Sequence, residues 1–214
     1  MNRYIGADPS FTAYGLSVID TKKLIITLDE LKVDIDKHSP RSILDGISIV
    51  THDVITRIFD VINLPGVNCR LSLELATTYG QMFQAELYAL DYALYRNNYI
   101  FSDVSLLSTT YLSWVKGKGY KPVIGKKEDT IFLVEKILDI FRDFGYTINI
   151  CKTENTISSL EKVKNRYPRV KTITSGEADS FMFALQDFIK NETGPIITKI
   201  LEECPRLMED HELK

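Results

Sequence analysis

Long apolar runs and paired cysteines are both missing from this sequence. No stretch approaches the roughly 18 to 20 consecutive apolar residues that cross a bilayer, so no membrane span is predicted. The three cysteines, Cys69, Cys151 and Cys204, lie far apart and form no Cys-x-x-Cys pair, so neither a zinc site nor a disulfide framework can be argued from them. No charged leader with a cleavable apolar stretch is recognised at the start. These absences predict a protein of a reducing cytoplasm, or of the host cytoplasm if the protein is viral.

Positively charged residues do not outnumber negatively charged ones overall. The formal net charge is -3, which by itself disfavours nucleic acid, because phosphate binding is driven largely by Lys and Arg. The distribution of charge alters this expectation. The segment from Trp114 to Lys127 contains no acid, and its five lysines are Lys116, Lys118, Lys121, Lys126 and Lys127. A local basic surface therefore leaves a DNA partner open.

The overall composition is that of a globular domain. With 214 residues, 44% of them hydrophobic, the chain can bury a sizeable core without disulfides. We predict one domain over residues 1–194, with a basic insertion at about 152–172, followed by an acidic C-terminal tail at 195–214. The sequence leaves open whether the tail is a short helix or disordered.

The hydrophobic pattern predicts strands first and helices later. Period-two alternation favours strands and steps of three and four favour helices. Strands are predicted at 3–8, 12–20, 24–33, 69–76, 104–107 and, less regularly, 146–150, and helices at 40–61, 80–95, 127–144 and 177–190. This order is that of an RNase H-like, three-layer α/β fold. It has a mixed five-stranded sheet, an antiparallel meander followed by parallel strands, with helices on both faces.

Two of the acidic residues on predicted strands are candidates for the site. Asp8 closes the first strand within Gly6-Ala7-Asp8-Pro9, where an Asp before Pro is also a common turn initiator. Glu74 lies in an apolar strand that should be central, where an unpaired carboxylate costs several kcal/mol and needs a cation, a metal or water. Strand alternation offers a second interpretation, in which Ser72, Glu74 and Ala76 form a solvent-facing stripe.

Two further acids open the last predicted helix. Asp179 is suited either to a catalytic role or to ordinary stabilisation of the helix N-terminus through the helix dipole. Glu177 is either a metal ligand or part of a capping box, because Thr174-Ser175-Gly176-Glu177 matches Thr-x-x-Glu. The sequence does not decide between these interpretations.

The candidate carboxylates are best interpreted together. In the predicted fold Asp8, Glu74 and Asp179, with Glu177 as a fourth candidate, converge at one edge of the sheet. Carboxylates gathered in this way repel one another unless hard cations neutralise them, which favours a pair of Mg²⁺ ions, with Mn²⁺ expected to substitute. Two such ions are suited to phosphodiester hydrolysis.

These segments resemble the motifs of RuvC-like Holliday junction resolvases, including those of phage or viral origin. Tyr4–Leu16 resembles the family's opening motif around its first Asp, Leu71–Ala76 resembles the second with Glu74 in the acidic position, and Glu177–Ser180 resembles the third with Asp179 as the last acid. One position departs from the pattern. The family usually has a further Asp or His three residues before the last acid, and here that residue is Gly176.

The resemblance implies a crossover junction endodeoxyribonuclease, a Mg²⁺-dependent hydrolase of four-way DNA junctions used in recombination and repair. It implies that Lys126 or Lys127 assists near the scissile phosphate, with Lys127 as the catalytic candidate, although a solvated charge run is an equal interpretation. It suggests Tyr79 as a base-stacking residue. It also implies a homodimer formed through the helix at 80–95, a helix whose apolar surface is equally explained by packing on the sheet.

Three other functions remain open at this stage. A branched-DNA binding protein without cleavage activity is compatible with Gly176 and the acidic net charge. An RNase H-like nuclease acting on flaps, forks or hybrids has the same carboxylates. An actin-like ATPase shares the first hairpin, but it needs two such domains and a second glycine-rich loop, and 214 residues with 11 glycines do not supply them.

Overall fold

Six β-strands form one sheet in the part of the chain that the computed structural model describes. The described residues are 2–8, 13–32, 39, 41, 45, 68–74, 103–107, 126–151, 161 and 172–203. The strands are β1 (Asn2–Asp8), β2 (Ala13–Asp20), β3 (Ile25–Lys32), β4 (Asn68–Glu74), β5 (Asp103–Leu107) and β6 (Thr147–Ile150).

The strand order across the sheet is β5-β4-β1-β2-β3-β6. Strand β2 pairs antiparallel with β1 and with β3, which is the predicted meander. Strands β4 and β5 then add in parallel on the β1 side. The RNase H-like fold class is therefore confirmed. The sheet has one strand more than the five predicted, because β6 adds in parallel to the free edge of β3.

Three helices lie among the described residues, namely α1 (Lys126–Asp143), α2 (Ser175–Asn191) and α3 (Pro195–Glu203). The capping box of Thr174 starts α2. Gly194, with φ of 120°, separates α2 from α3, whose first residue is a proline, the residue whose missing N–H and fixed φ suit that position. No helix in the described ranges is long and apolar enough to cross a membrane.

The main core lies between one face of the sheet and helices α1 and α2. Phe141 of α1 packs its ring against Phe181 and Phe188 of α2, and Phe188 packs edge-on against Tyr4 of β1. These aromatic contacts join both helices to the sheet. Residues of β2 and β3, chiefly Ile19, Ile26 and Leu28, complete the sheet side of this core.

Helix α3 belongs to the same core. Ile197 and Ile200 are buried in it, and Ile200 is fully covered. The residues predicted to begin an acidic tail at 195 therefore start, in the structure, as a helix packed on the domain. Its apolar residues at 196, 197, 200 and 201 follow helical spacing and provide the contact.

The opposite face of the sheet is also buried. Ile5 and Ala7 of β1, Leu16 and Val18 of β2 and Leu71 of β4 are all at most 7% exposed. The helices predicted at 40–61 and 80–95, and the basic insertion at 152–172, fall almost wholly outside the described residues.

Candidate active site at the ends of the central strands

Asp8 and Glu74 end two neighbouring parallel strands. Ala7 of β1 is paired with Leu73 of β4, so the next residue of each strand is Asp8 and Glu74 respectively. Adjacent strands lie about 4.8 Å apart, so these two acidic positions are side by side at the same edge of the sheet. The backbone thus brings together two residues that are 66 positions apart in sequence.

The same row continues across the sheet to a residue that the sequence did not single out. Asp8 is paired with Gly15 of β2, and Gly15 is paired with Glu30 of β3. Directly paired residues share a face of the sheet, so Glu30 lies on the face of Asp8. Its side chain is only 6% exposed. Finding Glu30 required the register of the meander, which the alternation of apolar residues does not specify.

Helix α2 crosses this face in contact with the backbone of two glycines. A Cβ on Gly6 would lie 1.9 Å from the carbonyl oxygen of Ser180, and a Cβ on Gly15 would lie 2.1 Å from the carbonyl oxygen of Gly176. Both distances are far shorter than any real Cβ contact. Only residues without a side chain permit this approach. The first turn of α2 therefore lies directly above β1 and β2, next to Asp8.

Asp179 is on the β1–β4 side of α2 and is partly exposed. Phe181, two residues later and thus about 200° around the helix, packs against Phe141 of α1 on the opposite side. Asp187 lies about 80° from Asp179 by the same helical count and accepts a hydrogen bond of 3.0 Å from Arg70 of β4. By this helical count Asp179 lies on the side of α2 nearer to β4 than to α1.

Glu177 serves as the capping residue of α2. Its Oε2 accepts a hydrogen bond of 2.7 Å from the Thr174 backbone N–H, and its own N–H donates to Thr174 Oγ1 at 3.3 Å. Because α2 begins at Ser175, Glu177 lies inside the first turn, about 200° from Asp179. Of the two interpretations open from the sequence, the structure contains the cap, and a metal-binding role for Glu177 stays a prediction.

Gly176, the position where the resolvase pattern has an additional acid, has a buried carboxyl group beside it. A Cβ on Gly176 would lie 3.2 Å from Glu30 Oε1 and 3.3 Å from Glu30 Cδ. A side chain at residue 176 would therefore require the Glu30 side chain to shift by a few tenths of an ångström.

The charge of Asp8 acts on a neighbouring buried phenol. Tyr14, in β2, is 1% exposed. Burial raises the pKa of the Tyr14 phenol, and the negative charge of Asp8 raises that pKa further. Tyr14 is consequently neutral at any physiological pH. It therefore contributes a hydroxyl group, and no negative charge, near this end of β2.

The three acids predicted as metal ligands are of a residue type that suits a hard divalent cation. Asp8, Glu74 and Asp179 offer only carboxylate oxygens, which suit Mg²⁺ or Mn²⁺ and do not suit zinc as His and Cys would. The close approach of α2 leaves no room for a side chain at residue 15 between the first turn of α2 and β2. Within the described ranges, no group of three or more His, Cys, Asp or Glu side chains stands in metal-binding proximity.

The structure describes only some of the other predicted site residues. Lys126 and Lys127 are the first residues of α1. The sequence predicted that this helix begins at residue 127, one residue later than it does. Tyr79, Lys116, Lys118 and Lys121 lie outside the described residues, as does the helix predicted at 80–95 as a dimer interface.

Comparison with known proteins finds similarity among solved structures. No protein-family model and no curated protein sequence matches the chain. Among solved structures, the chain is similar to T. thermophilus RuvC in complex with Holliday junction substrate, with 14% identity and a TM-score of 0.43, over 86% of this chain and 91% of that chain. An identity and a TM-score this low do not establish an activity.

Proposed function

We propose that this protein is a metal-dependent endonuclease that cuts branched DNA, with four-way junctions as its substrate. One observation carries the proposal. Asp8 and Glu74 end adjacent parallel strands in register, and the helix that crosses β1 and β2 at Gly6 and Gly15 has Asp179 in its second turn. The motif resemblance to junction resolvases names the same three acids.

Asp8, Glu74 and Asp179 would hold two Mg²⁺ ions. When bound, such ions lower the pKa of the attacking water and stabilise the leaving 3′-oxygen of the phosphodiester. The protein residues contribute fixed positions. Asp8 and Glu74 are held by the hydrogen-bonded register of β1 and β4, and Asp179 is held by a helix that contacts the sheet backbone. Rigid placement of charged groups lowers the reorganisation needed for the reaction.

DNA binding is assigned to the lysines before and at the start of α1. Lys126 and Lys127 open α1, and Lys116, Lys118 and Lys121 precede them in a stretch free of acids. Lys and Arg side chains bind phosphates and release counterions, which offsets an overall net charge of -3. We propose Lys127 as the cation nearest the scissile phosphate and Tyr79 as a residue that stacks on a base.

Cleavage of a synthetic four-way junction tests the nuclease assignment. With Mg²⁺ the full chain should release nicked duplexes, EDTA should stop the reaction, and Mn²⁺ should restore it. Asp8→Asn should lower the cleavage rate by about 100-fold or more, because it removes one charge of the metal site. Asp139→Asn, an exposed carboxylate of α1 paired with Arg142, is the matched control and should cut at the wild-type rate.

Equal cutting by Asp8→Asn and wild type would contradict the assigned site. Junction binding without cutting would favour a branched-DNA binding protein instead. A panel of junctions, flaps, forks and RNA–DNA hybrids separates the substrate classes, since only a two-fold dimer on a four-way junction should produce symmetric paired nicks. We propose that this dimer forms through residues 80–95, and light scattering measures its mass.

A further inference from the structure

The first turn of α2 reaches the sheet at a position that tolerates no side chain. Gly15 faces this turn, and a Cβ there would lie 2.1 Å from the Gly176 carbonyl oxygen, 2.7 Å from the Gly176 carbonyl carbon and 3.2 Å from Ser180 Cβ. Contacts under 3.0 Å are essentially never made by real Cβ atoms, so a side chain at residue 15 requires the turn to move.

A small polar contact holds the same turn beside Gly15. The hydroxyl oxygens of Ser17 and Ser180 are 2.7 Å apart, and the Ser180 hydroxyl donates to the Glu177 carbonyl oxygen at 3.1 Å. The Ser17 hydroxyl, 3.4 Å from this carbonyl, can donate its single proton either to the carbonyl or to Ser180 Oγ. All of these groups are fully buried. The turn is thus held on the sheet by close backbone packing and by hydroxyl groups.

We infer that Gly15 is a positioning residue that sets the distance between Asp179 and Asp8, an inference whose catalytic meaning rests on the proposed function. Gly15 is the register partner of Asp8 in β2. Gly176, which contacts it, is three residues before Asp179 and lies within one turn of the same helix. A helix moves as a rigid body over this length, so lifting Gly176 from the sheet lifts Asp179 from the strand ends.

Substitution of Gly15 by Ala should therefore weaken metal binding more than its effect on folding predicts. The added methyl group forces the first turn of α2 outward by about 1 Å to reach an ordinary contact distance. Residues that only orient metal ligands change metal affinity by about 10-fold to 100-fold when altered. We expect the Mn²⁺ concentration at half-maximal thermal stabilisation to rise about 10-fold or more in Gly15→Ala.

The experiment compares full-length wild type, Gly15→Ala and Phe188→Leu by two measurements. The first is the thermal unfolding midpoint as a function of Mn²⁺ concentration. The second is amide hydrogen exchange without metal at the first turn of α2, where the Ala178 N–H donates to Thr174 O at 3.1 Å. Phe188→Leu loosens the far end of α2, against Tyr4 and Phe141. It should lower the unfolding midpoint at every Mn²⁺ concentration without changing the Mn²⁺ concentration at half-maximal stabilisation or the exchange at Ala178.

Faster exchange at Ala178 together with weaker Mn²⁺ binding in Gly15→Ala, and neither in Phe188→Leu, supports the inference. If wild type responds to Mn²⁺ and Gly15→Ala matches Phe188→Leu in either measurement, the inference is overturned. If Gly15→Ala does not fold, Ser17→Ala replaces it, because it removes a hydroxyl contact to the same turn. It should change both readouts in the same direction by a smaller amount, and unchanged readouts overturn the inference.

The outcomes also separate this inference from the function on which it rests. A wild-type protein whose unfolding midpoint does not respond to Mn²⁺ or Mg²⁺ would contradict the proposed metal site. In that case the exchange measurement, which is made without metal, tests the position of the first turn of α2 independently. If exchange at Ala178 is no faster in Gly15→Ala than in Phe188→Leu, the positioning inference is overturned.

Discussion

Single charged residues in this protein are buried with specific partners. On the sheet face opposite α2, Arg3 of β1 donates from Nε to Asp20 Oδ2 at 2.6 Å, and the side chains are only 3% and 8% exposed. Burial by itself raises the pKa of Asp20, but the Lys23 N–H, the Arg3 guanidinium and the Lys22 N–H lower it further than burial raises it. The net result is a lowered pKa, so Asp20 stays charged well into acid.

Removing the charge of Asp20 should destabilise the protein in a pH-dependent way. Asp20→Asn leaves the Arg3 charge buried without its counter-ion, which should lower the free energy of unfolding by about 3 kcal/mol at pH 7. A carboxylate with a lowered folded-state pKa contributes its full stabilisation above its unfolded pKa of about 3.9, and loses it as pH falls through the folded-state pKa. The difference between wild type and Asp20→Asn should therefore shrink below about pH 4.

Urea unfolding at pH values from 7 to 2 measures this difference. Asp139→Asn, which alters an exposed pair with Arg142, should stay within about 0.5 kcal/mol of wild type throughout. A gap between wild type and Asp20→Asn that stays constant down to pH 2 would show that the Asp20 charge is not the source of the stabilisation.

At the scale of elements, the start of α2 combines a structural cap with a candidate catalytic residue. Thr174 and Glu177 exchange side-chain and backbone hydrogen bonds, which satisfies two groups that helix termini otherwise leave unpaired. Asp179 follows two residues later, on another side of the helix. A fixed helix start is what allows Asp179 to keep a constant position over the sheet.

Glu177→Gln should be close to neutral in stability and in metal binding. Glutamine also completes a capping box, so the amide oxygen can accept the Thr174 N–H in place of the carboxylate. Thr174→Ala should lower the free energy of unfolding by about 1 kcal/mol, because it removes the cap side chain. Both variants are measured by urea unfolding and by the Mn²⁺ dependence of the unfolding midpoint. A large rise in the required Mn²⁺ concentration for Glu177→Gln would identify Glu177 as a metal ligand after all.

At the scale of the whole molecule, the C-terminal helix closes the core. Ile200 of α3 is fully buried in the cluster that contains the aromatic residues of α1 and α2. Ile200→Ala should lower the free energy of unfolding by about 2 to 4 kcal/mol, since it removes buried methylene groups and leaves a cavity. Lys199→Ala, at a half-exposed neighbouring residue, should change it by less than about 0.5 kcal/mol. Equal stability of the two variants would mean that α3 is dispensable for folding.

Much of this architecture was predictable from local patterns. Alternating apolar residues predicted β1 to β3 to within about one residue at most ends, and helical spacing predicted α1 from residue 127, against Lys126 in the structure. The acidic tail was less predictable. The sequence left open whether it is a short helix or disordered, whereas in the structure Ile197 and Ile200 are core residues, because burial depends on which surface α3 meets.

The sequence by itself determined the kind of strands and helices, their order, and the placement of Asp8 at a strand end, of Glu74 within a strand and of Asp179 early in a helix. These features follow from local chemistry, that is, from side-chain periodicity and capping residues. Only the tertiary structure decided that Glu30 shares a row with Asp8, that Glu177 closes the cap, and that Gly6 and Gly15 admit α2 to the sheet. Strand register and helix docking depend on contacts between distant residues, which a one-dimensional pattern does not specify.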